Sequence, residues 1–140
     1  MRLIPVSLAI FYRRSSEILE VWTQKRLDDG IYHGLLEFPG GGIEENESPL
    51  EAVVREVEEE VGIKVNPDSA EFMGTYSTFL SEKTILLNVF LFPDQAGLFD
   101  KGNWLQIEKT KLSSIYQGQI PSPNHQMIDD LYRALYSWPV

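Results

Sequence analysis

The 140-residue sequence predicts a sandwich of the α/β or α+β class, with helices around a mixed β-sheet. Three observations carry that expectation. Apolar, aromatic and β-branched runs occupy residues 4–13, 17–26, 71–80 and 84–92, with the length and composition of strands. A helix with start and stop signals lies between the two pairs, at residues 49–61. A second helical pattern closes the chain at residues 122–136.

The elements follow in order. Residues 4–13 (IPVSLAIFYR) and 17–26 (EILEVWTQKR) flank a short RSS turn and read as a β-hairpin. Residues 27–34 (LDDGIYHG) read as a loop, and residues 35–41 (LLEFPGG) as a short strand ending in a Pro-Gly-Gly break. Ser48 then offers an N-cap, Pro49 suits the first helical position, and Glu51 completes an S-x-x-E capping box. The helix is expected to end at Val61, with Gly62 as its left-handed stop. Residues 103–109 (NWLQIEK) suggest a further strand, and residues 110–116 a short helix. In the last helix Met127, Ile128, Leu131 and Leu135 recur at helical spacing after a Ser122-Pro123 start. No repeat, low-complexity tract or long linker divides the chain, so one domain over residues 1–140 is expected.

Composition narrows the function classes. There are no cysteines, which excludes disulfides and thiolate metal sites. The apolar run near the N-terminus is interrupted by Ser7, ends in Arg13 and Arg14, and is too short to span a bilayer. No membrane partner is expected, and a cytoplasmic location fits. The net charge of −9 leaves no basic stripe for extensive nucleic-acid binding. An acidic protein that binds a phosphorylated small molecule needs a cation between the two.

Residues 41–63 (GGIEENESPLEAVVREVEEEVGI) hold eight glutamates and one arginine. On a helix turning about 100° per residue, Leu50, Val54, Val57 and Val61 share one side, expected to face the core. Glu56, Glu59 and Glu60 cluster on another, while Glu51 and Glu58 point outward with Arg55 near them. Like charges at this spacing repel unless a hard cation such as Mg²⁺, which takes carboxylate and water oxygens, is held between them. Helical periodicity alone leaves a solvated acidic face as the simpler account. The glycines of residues 38–42 (FPGGG) add to the case for a site, since they admit a close phosphate and offer a backbone carbonyl.

The segment resembles the signature of the Nudix hydrolases: G, five residues, E, seven residues, R-E-U-x-E-E-x-G-U, where U is a bulky aliphatic residue. Gly41, Glu47, Arg55, Glu56, Val57, Glu59, Glu60, Gly62 and Ile63 fill it without departure. The resemblance implies an α/β/α sandwich and Mg²⁺- or Mn²⁺-dependent hydrolysis of a nucleoside diphosphate linked to another group. It implies that Glu56, Glu59 and Glu60 ligate the metal, with the Gly40 carbonyl as a further ligand. Arg55 would orient a glutamate by ion pairing, and Glu47 would support the site.

Residues 36–41 (LEFPGG), 17–26, WLQI and PSPNHQMI are similar to the MutT-like branch of that family. The branch implies removal of pyrophosphate from a nucleoside triphosphate, notably 8-oxo-dGTP, a small-molecule substrate. Asn124 stands where that branch reads the purine edge, since an amide offers both a donor and an acceptor; it equally suits a helix N-terminus. Lys25 and Arg26 are expected at phosphate or sugar, or as the solvated end of a strand; Lys83 is a weaker candidate of the same kind. Phe38 is expected to wall the base pocket or to pack in the core. The sequence departs from the branch at Gly42 in place of a lysine, Leu80 in place of an aromatic and Asn103 in place of a glutamate. Asp100 is a candidate for the missing distal carboxylate or a solvated turn residue, while His33 and His125 read as loop residues. The competing functions are RNA 5′-pyrophosphate removal, hydrolysis of ADP-ribose or a nucleotide sugar, and a catalytically idle nucleotide-binding module.

Overall fold

A computed structural model of the chain describes residues 2–16, 18–26, 34–95, 102–108 and 124–136. Its strands are β1 (Arg2–Arg14), β2 (Ile18–Lys25), β3 (Leu36–Glu37), β4 (Gly40–Gly42), β5 (Glu71–Leu80), β6 (Lys83–Pro93) and β7 (Asn103–Glu108). Its helices are α1 (Pro49–Val61) and α2 (His125–Tyr136), with a 3₁₀ turn at Pro67–Ser69. Among the described residues, a mixed sheet with two helices is the expected α/β sandwich class. The short helix expected at residues 110–116 lies outside the described residues, as do His33 and Asp100.

The chain divides into two compact units: Met1–Phe11 with Phe38–Lys101, and Tyr12–Glu37 with Gly102–Val140. In the first, β1 pairs with β4 and β6, and β6 with β5. Ala9, Ile10, Phe11, Val53, Val57, Val61, Val89 and Phe92 are buried there, and the rings of Phe11 and Phe92 stack at 5.2 Å. In the second, the end of β1 pairs with β2, and β2 with β3 and β7, all antiparallel. Its buried side chains include Leu19, Val21, Trp22, Ile107, Met127, Ile128, Leu131 and Tyr132. The Tyr136 hydroxyl bonds the Ser15 and Ile18 carbonyls, both at 2.8 Å, and Arg14 donates to the Leu135 carbonyl at 2.6 Å. These bonds fasten the end of α2 to the β1–β2 turn.

The helix signals read correctly. Ser48 Oγ accepts from the Glu51 N–H at 3.0 Å, and the Glu51 carboxylate accepts from the Ser48 N–H at 2.8 Å. Such a cap stabilises a helix by about 1 kcal/mol. Gly62, at φ 81°, ends α1 in the left-handed conformation, its N–H donating to the Glu58 carbonyl.

Two expectations are corrected. The single strand at residues 35–41 is two, broken at Phe38-Pro39, because Pro39 has no N–H for a ladder; β3 pairs with β2, and β4 with β1. The buried stripe of α1 is Ala52, Val53, Val57 and Val61, not Leu50 and Val54. Leu50 and Val54 are half-buried and line a surface cavity of about 570 Å³ beside Pro67. On the helical wheel this turns the core face toward Glu56 and Glu60. In α2, Tyr132 joins the buried face and Leu135 is half-buried.

Candidate active site

The site is assembled where the glycine strand β4 meets α1. β4 lies antiparallel on β1, with Val6 opposite Gly42, Ser7 opposite Gly41 and Leu8 opposite Gly40. The glycines are required by what lies against them. A Cβ on Gly40 would run into the Ser7 carbonyl, and one on Gly41 would stand 2.5 Å from Oε1 of Glu56. The Glu56 carboxylate therefore occupies the room a side chain at residue 41 would take. The Gly40 N–H points at Oε2 of Glu60 at 3.4 Å.

Arg55 organises the carboxylates. Its Nε donates to Glu47 Oε2 at 2.7 Å and its Nη2 to Glu47 Oε1 at 3.0 Å, a two-pronged pair. Nη2 also donates to the Gly42 carbonyl at 3.0 Å. Nη1 donates to Glu56 at 2.9 Å and Glu59 at 3.3 Å, and lies 3.7 Å from Glu44. Glu47 is the closest partner of Arg55. The expected placing of Arg55 beside Glu51 and Glu58 is corrected in part: it lines the surface cavity with them, but its ion pairs run to Glu44 and Glu47 of the loop and to Glu56 and Glu59 of α1, and a hydrogen bond reaches the Gly42 carbonyl. The Glu47 carboxyl is pushed down to about 2, first by the Arg55 hydrogen bonds and then by the Glu44 N–H. The Arg55 guanidinium is in turn raised, chiefly by Glu47.

Four glutamates (44, 47, 56 and 59) thus meet one arginine, a surplus of three negative charges around it, and Glu60 stands by the Gly40 N–H. Side chains of Glu47 and Glu56 are only 14% and 16% exposed, while that of Glu59 is 58% exposed. Among the described residues no three acidic or histidine side chains converge in a metal-holding arrangement. Glu56 and Glu59 lean instead on Arg55, and Glu60 reaches toward the Gly40 N–H. The donor chemistry nonetheless fits a hard divalent ion, being carboxylate oxygen throughout with backbone carbonyls adjacent. Glu59 and Glu60 are exposed, so a cation meets them directly from solvent.

The other expected residues are distributed as follows. Phe38 is 3% exposed, which fits the core alternative rather than an open pocket wall. Lys83 closes the β5–β6 hairpin and lines a depression of about 940 Å³ with Arg2, Leu80, Ser81 and Glu82, which contains none of the α1 glutamates. Lys25, Arg26 and Asn124 belong to the second unit. Lys25 is exposed at the end of β2, opposite Leu36. Arg26 pairs with Glu37 at 3.3 Å, and its backbone bonds Leu35 and Gly34. Asn124 directly precedes α2, and His125 is its first residue. Asn103 begins β7, its carbonyl accepting from Thr23 Oγ1 at 2.9 Å.

Two contributors escaped the sequence reading. Glu44 supplies an N–H to Glu47 and a carboxylate near Arg55. Ser7 is fully buried, and its hydroxyl donates to the Pro49 carbonyl at 2.8 Å. Its signal was the serine that interrupts an otherwise apolar run.

A NUDIX domain model matches residues 2–113. An 8-oxo-dGTP diphosphatase of Escherichia coli is 41% identical over 63 residues, 45% of this chain and 46% of that protein. An RNA pyrophosphohydrolase of Bartonella henselae is 46% identical over 65 residues, 38% of this chain and 37% of that protein. The chain thus spans less than half the length of either relative. The crystal structure of a MutT protein from Methanosarcina mazei shares the fold, with a TM-score of 0.71 at 20% identity over 98% of this chain and 97% of that one. No described helix is long and apolar enough to cross a membrane. By these matches the chain belongs to the NUDIX family, and within it resembles the MutT-like branch.

Proposed function

We propose that this Nudix hydrolase is a Mg²⁺- or Mn²⁺-dependent pyrophosphohydrolase that converts a nucleoside or deoxynucleoside triphosphate, 8-oxo-dGTP among them, to the monophosphate and pyrophosphate. The observation that carries the reading is the gathering of four glutamates on Arg55, with Glu56 and Glu60 set against the glycine strand. A purely binding module has no use for that much uncompensated acid. The similarity to an 8-oxo-dGTP diphosphatase supports the substrate class.

Glu56, Glu59, Glu60 and the Gly40 carbonyl would hold the cation. When bound, it neutralises the diphosphate and lowers the pKa of a water molecule. Arg55 fixes Glu56 through one prong of its guanidinium and anchors itself on Glu47 through the other two. Glu59 is open to an attacking water, and we assign it the role of proton acceptor. Water oxygen adds at phosphorus as the bond to the bridging oxygen breaks, and pyrophosphate leaves with the bond electrons. Asn124 is assigned to the base edge, with Lys25 and Arg26 at phosphate or sugar. The chain acts as one domain on a small nucleotide in the cytoplasm.

The test is product identification after incubation with Mg²⁺ or Mn²⁺ and separate dNTPs, 8-oxo-dGTP, ADP-ribose and triphosphorylated RNA. Monophosphate plus pyrophosphate from a free nucleotide supports the reading. Turnover confined to RNA ends, the activity named for the Bartonella relative, replaces it with the RNA reading. AMP plus ribose phosphate replaces it with the sugar-nucleotide reading. No turnover with either metal favours the binding module.

A further inference from the structure

Ser7 is a hydroxyl buried without exposure, between Val6 and Leu8 on β1. Burying a hydroxyl is unfavourable unless it is bonded, and an alanine there would avoid the cost. The bond it makes joins two parts of the site. Its backbone pairs with Gly41, and its carbonyl abuts Gly40 so closely that no side chain fits at residue 40. Its hydroxyl donates to the carbonyl of Pro49, the first residue of α1, at 2.8 Å. The Glu56 carboxylate, two helical turns along α1, lies against Gly41, the residue opposite Ser7.

We propose that Ser7 is a positioning residue for the catalytic glutamates: its hydroxyl pins the first turn of α1 to β1, the strand on which the glycine strand lies, and so sets where Glu56 and Glu60 stand relative to Gly40 and Gly41. The capping box decides where the helix begins in sequence; Ser7 decides where that beginning sits against the sheet. A helix is stiff over two turns, so a slip at Pro49 is carried to Glu56. Misplacement by about 1 Å costs about a hundredfold in rate, and a partial slip correspondingly less. This inference rests on the metal-site reading of the glutamates given above.

Ser7→Ala, Ser7→Thr and Ser7→Val are compared by three measurements. They are amide exchange at residues 40–42 without metal, Mn²⁺ binding by electron paramagnetic resonance, and kcat and KM with saturating Mg²⁺. Ser7→Ala is expected to speed exchange at Gly40, weaken Mn²⁺ binding and lower kcat about tenfold at unchanged KM, with Ser7→Thr close to wild type. A Ser7→Ala protein that melts earlier but keeps wild-type kcat, Mn²⁺ affinity and exchange overturns the proposal, leaving Ser7 a packing residue. If alanine prevents folding, the equal shapes of Thr and Val decide. Turnover retained by Thr and lost by Val supports the role, and equal turnover overturns it. A Glu59→Gln control separates the two levels. Wild-type activity in that variant sinks the metal-site reading itself, whereas an inactive Glu59→Gln beside a normal Ser7→Ala refutes only the role of Ser7.

Discussion

Gly41→Ala tests the site at a single methyl group. The φ of Gly41 is not left-handed, so its backbone accepts alanine. The new Cβ would lie 2.5 Å from Cδ and Oε1 of Glu56 and 2.8 Å from Oε2. Ordinary contact begins at 3.4 Å, so the carboxylate must retreat by about 0.9 Å. That retreat also breaks the 2.9 Å bond from Arg55 Nη1. The displaced atoms are the far end of a flexible side chain, so the stability cost is about 1 kcal/mol, the low end for overpacking. The rate cost is larger: displacing a reacting group by about 1 Å lowers kcat by about a hundredfold. Thermal unfolding and single-turnover hydrolysis of a dNTP, measured on one preparation, read the two costs separately. A Gly41→Ala enzyme with wild-type kcat would falsify the claim that Glu56 acts from the place where it stands against Gly41. An unfolded variant would show instead that the strand, not the carboxylate, had to give.

Three further outcomes are expected. Glu59→Gln keeps the size of a side chain that is mostly in solvent, so the melting temperature should barely change while the rate falls by orders of magnitude; a rate near wild type would remove Glu59 from the mechanism. The Glu47 carboxyl is lowered from 4.5 to about 2, so the stability it lends is fully present above about pH 4.5 and is lost as pH falls toward 2. Denaturant titrations across that window should show the loss in wild type and its absence in Glu47→Gln, and parallel slopes would contradict the ion-pair account. Tyr136→Phe removes a hydroxyl that bonds two strand-turn carbonyls, and should cost about 1 kcal/mol of stability with kcat unchanged. A large fall in kcat would mean that the turn it fastens matters for turnover.

The sequence showed most clearly what is local. The caps of α1 depend on residues within one turn, and Ser48, Pro49, Glu51 and Gly62 all act as their types predict. The glutamate spacing was likewise visible, because three- and four-residue neighbours share a face whatever the tertiary fold. What failed depends on packing. Apolar residues border α1 on two sides, and only the sheet decides that Val53 is buried while Leu50 and Val54 face a cavity. The direction of Arg55 was illegible for the same reason: it follows from where the loop brings Glu47 and Gly42. Phe38 had two plausible fates, and burial chose the core. Ser7 was visible as an interruption in an apolar run, but its purpose needs the register that sets it opposite Gly41.

The charge surplus itself makes the last prediction. A solvated acidic face would leave each carboxylate in water, with neighbours too screened to matter. Here Glu47 and Glu56 are mostly covered, and one guanidinium serves four carboxylates at once. Arg55 has five N–H donors and one charge, so it can satisfy geometry without balancing charge. Ionised Glu47 is stabilised by Arg55, but Glu44, Glu56 and Glu59 remain crowded around the same single positive charge, and the unfolded chain disperses them. A cation that binds between the carboxylates must then favour the folded state by its own binding free energy. For one site that stabilisation is about 2.7 kcal/mol at a hundred times the dissociation constant. Melting curves should therefore shift upward with Mg²⁺ or Mn²⁺ in the absence of any nucleotide, saturably and beyond the effect of ionic strength matched with NaCl. The shift should shrink in Glu59→Gln and persist in Tyr136→Phe, which touches no glutamate of the site. If NaCl at equal ionic strength reproduces the whole shift, the glutamates are a screened acidic face and the cation has no seat among them.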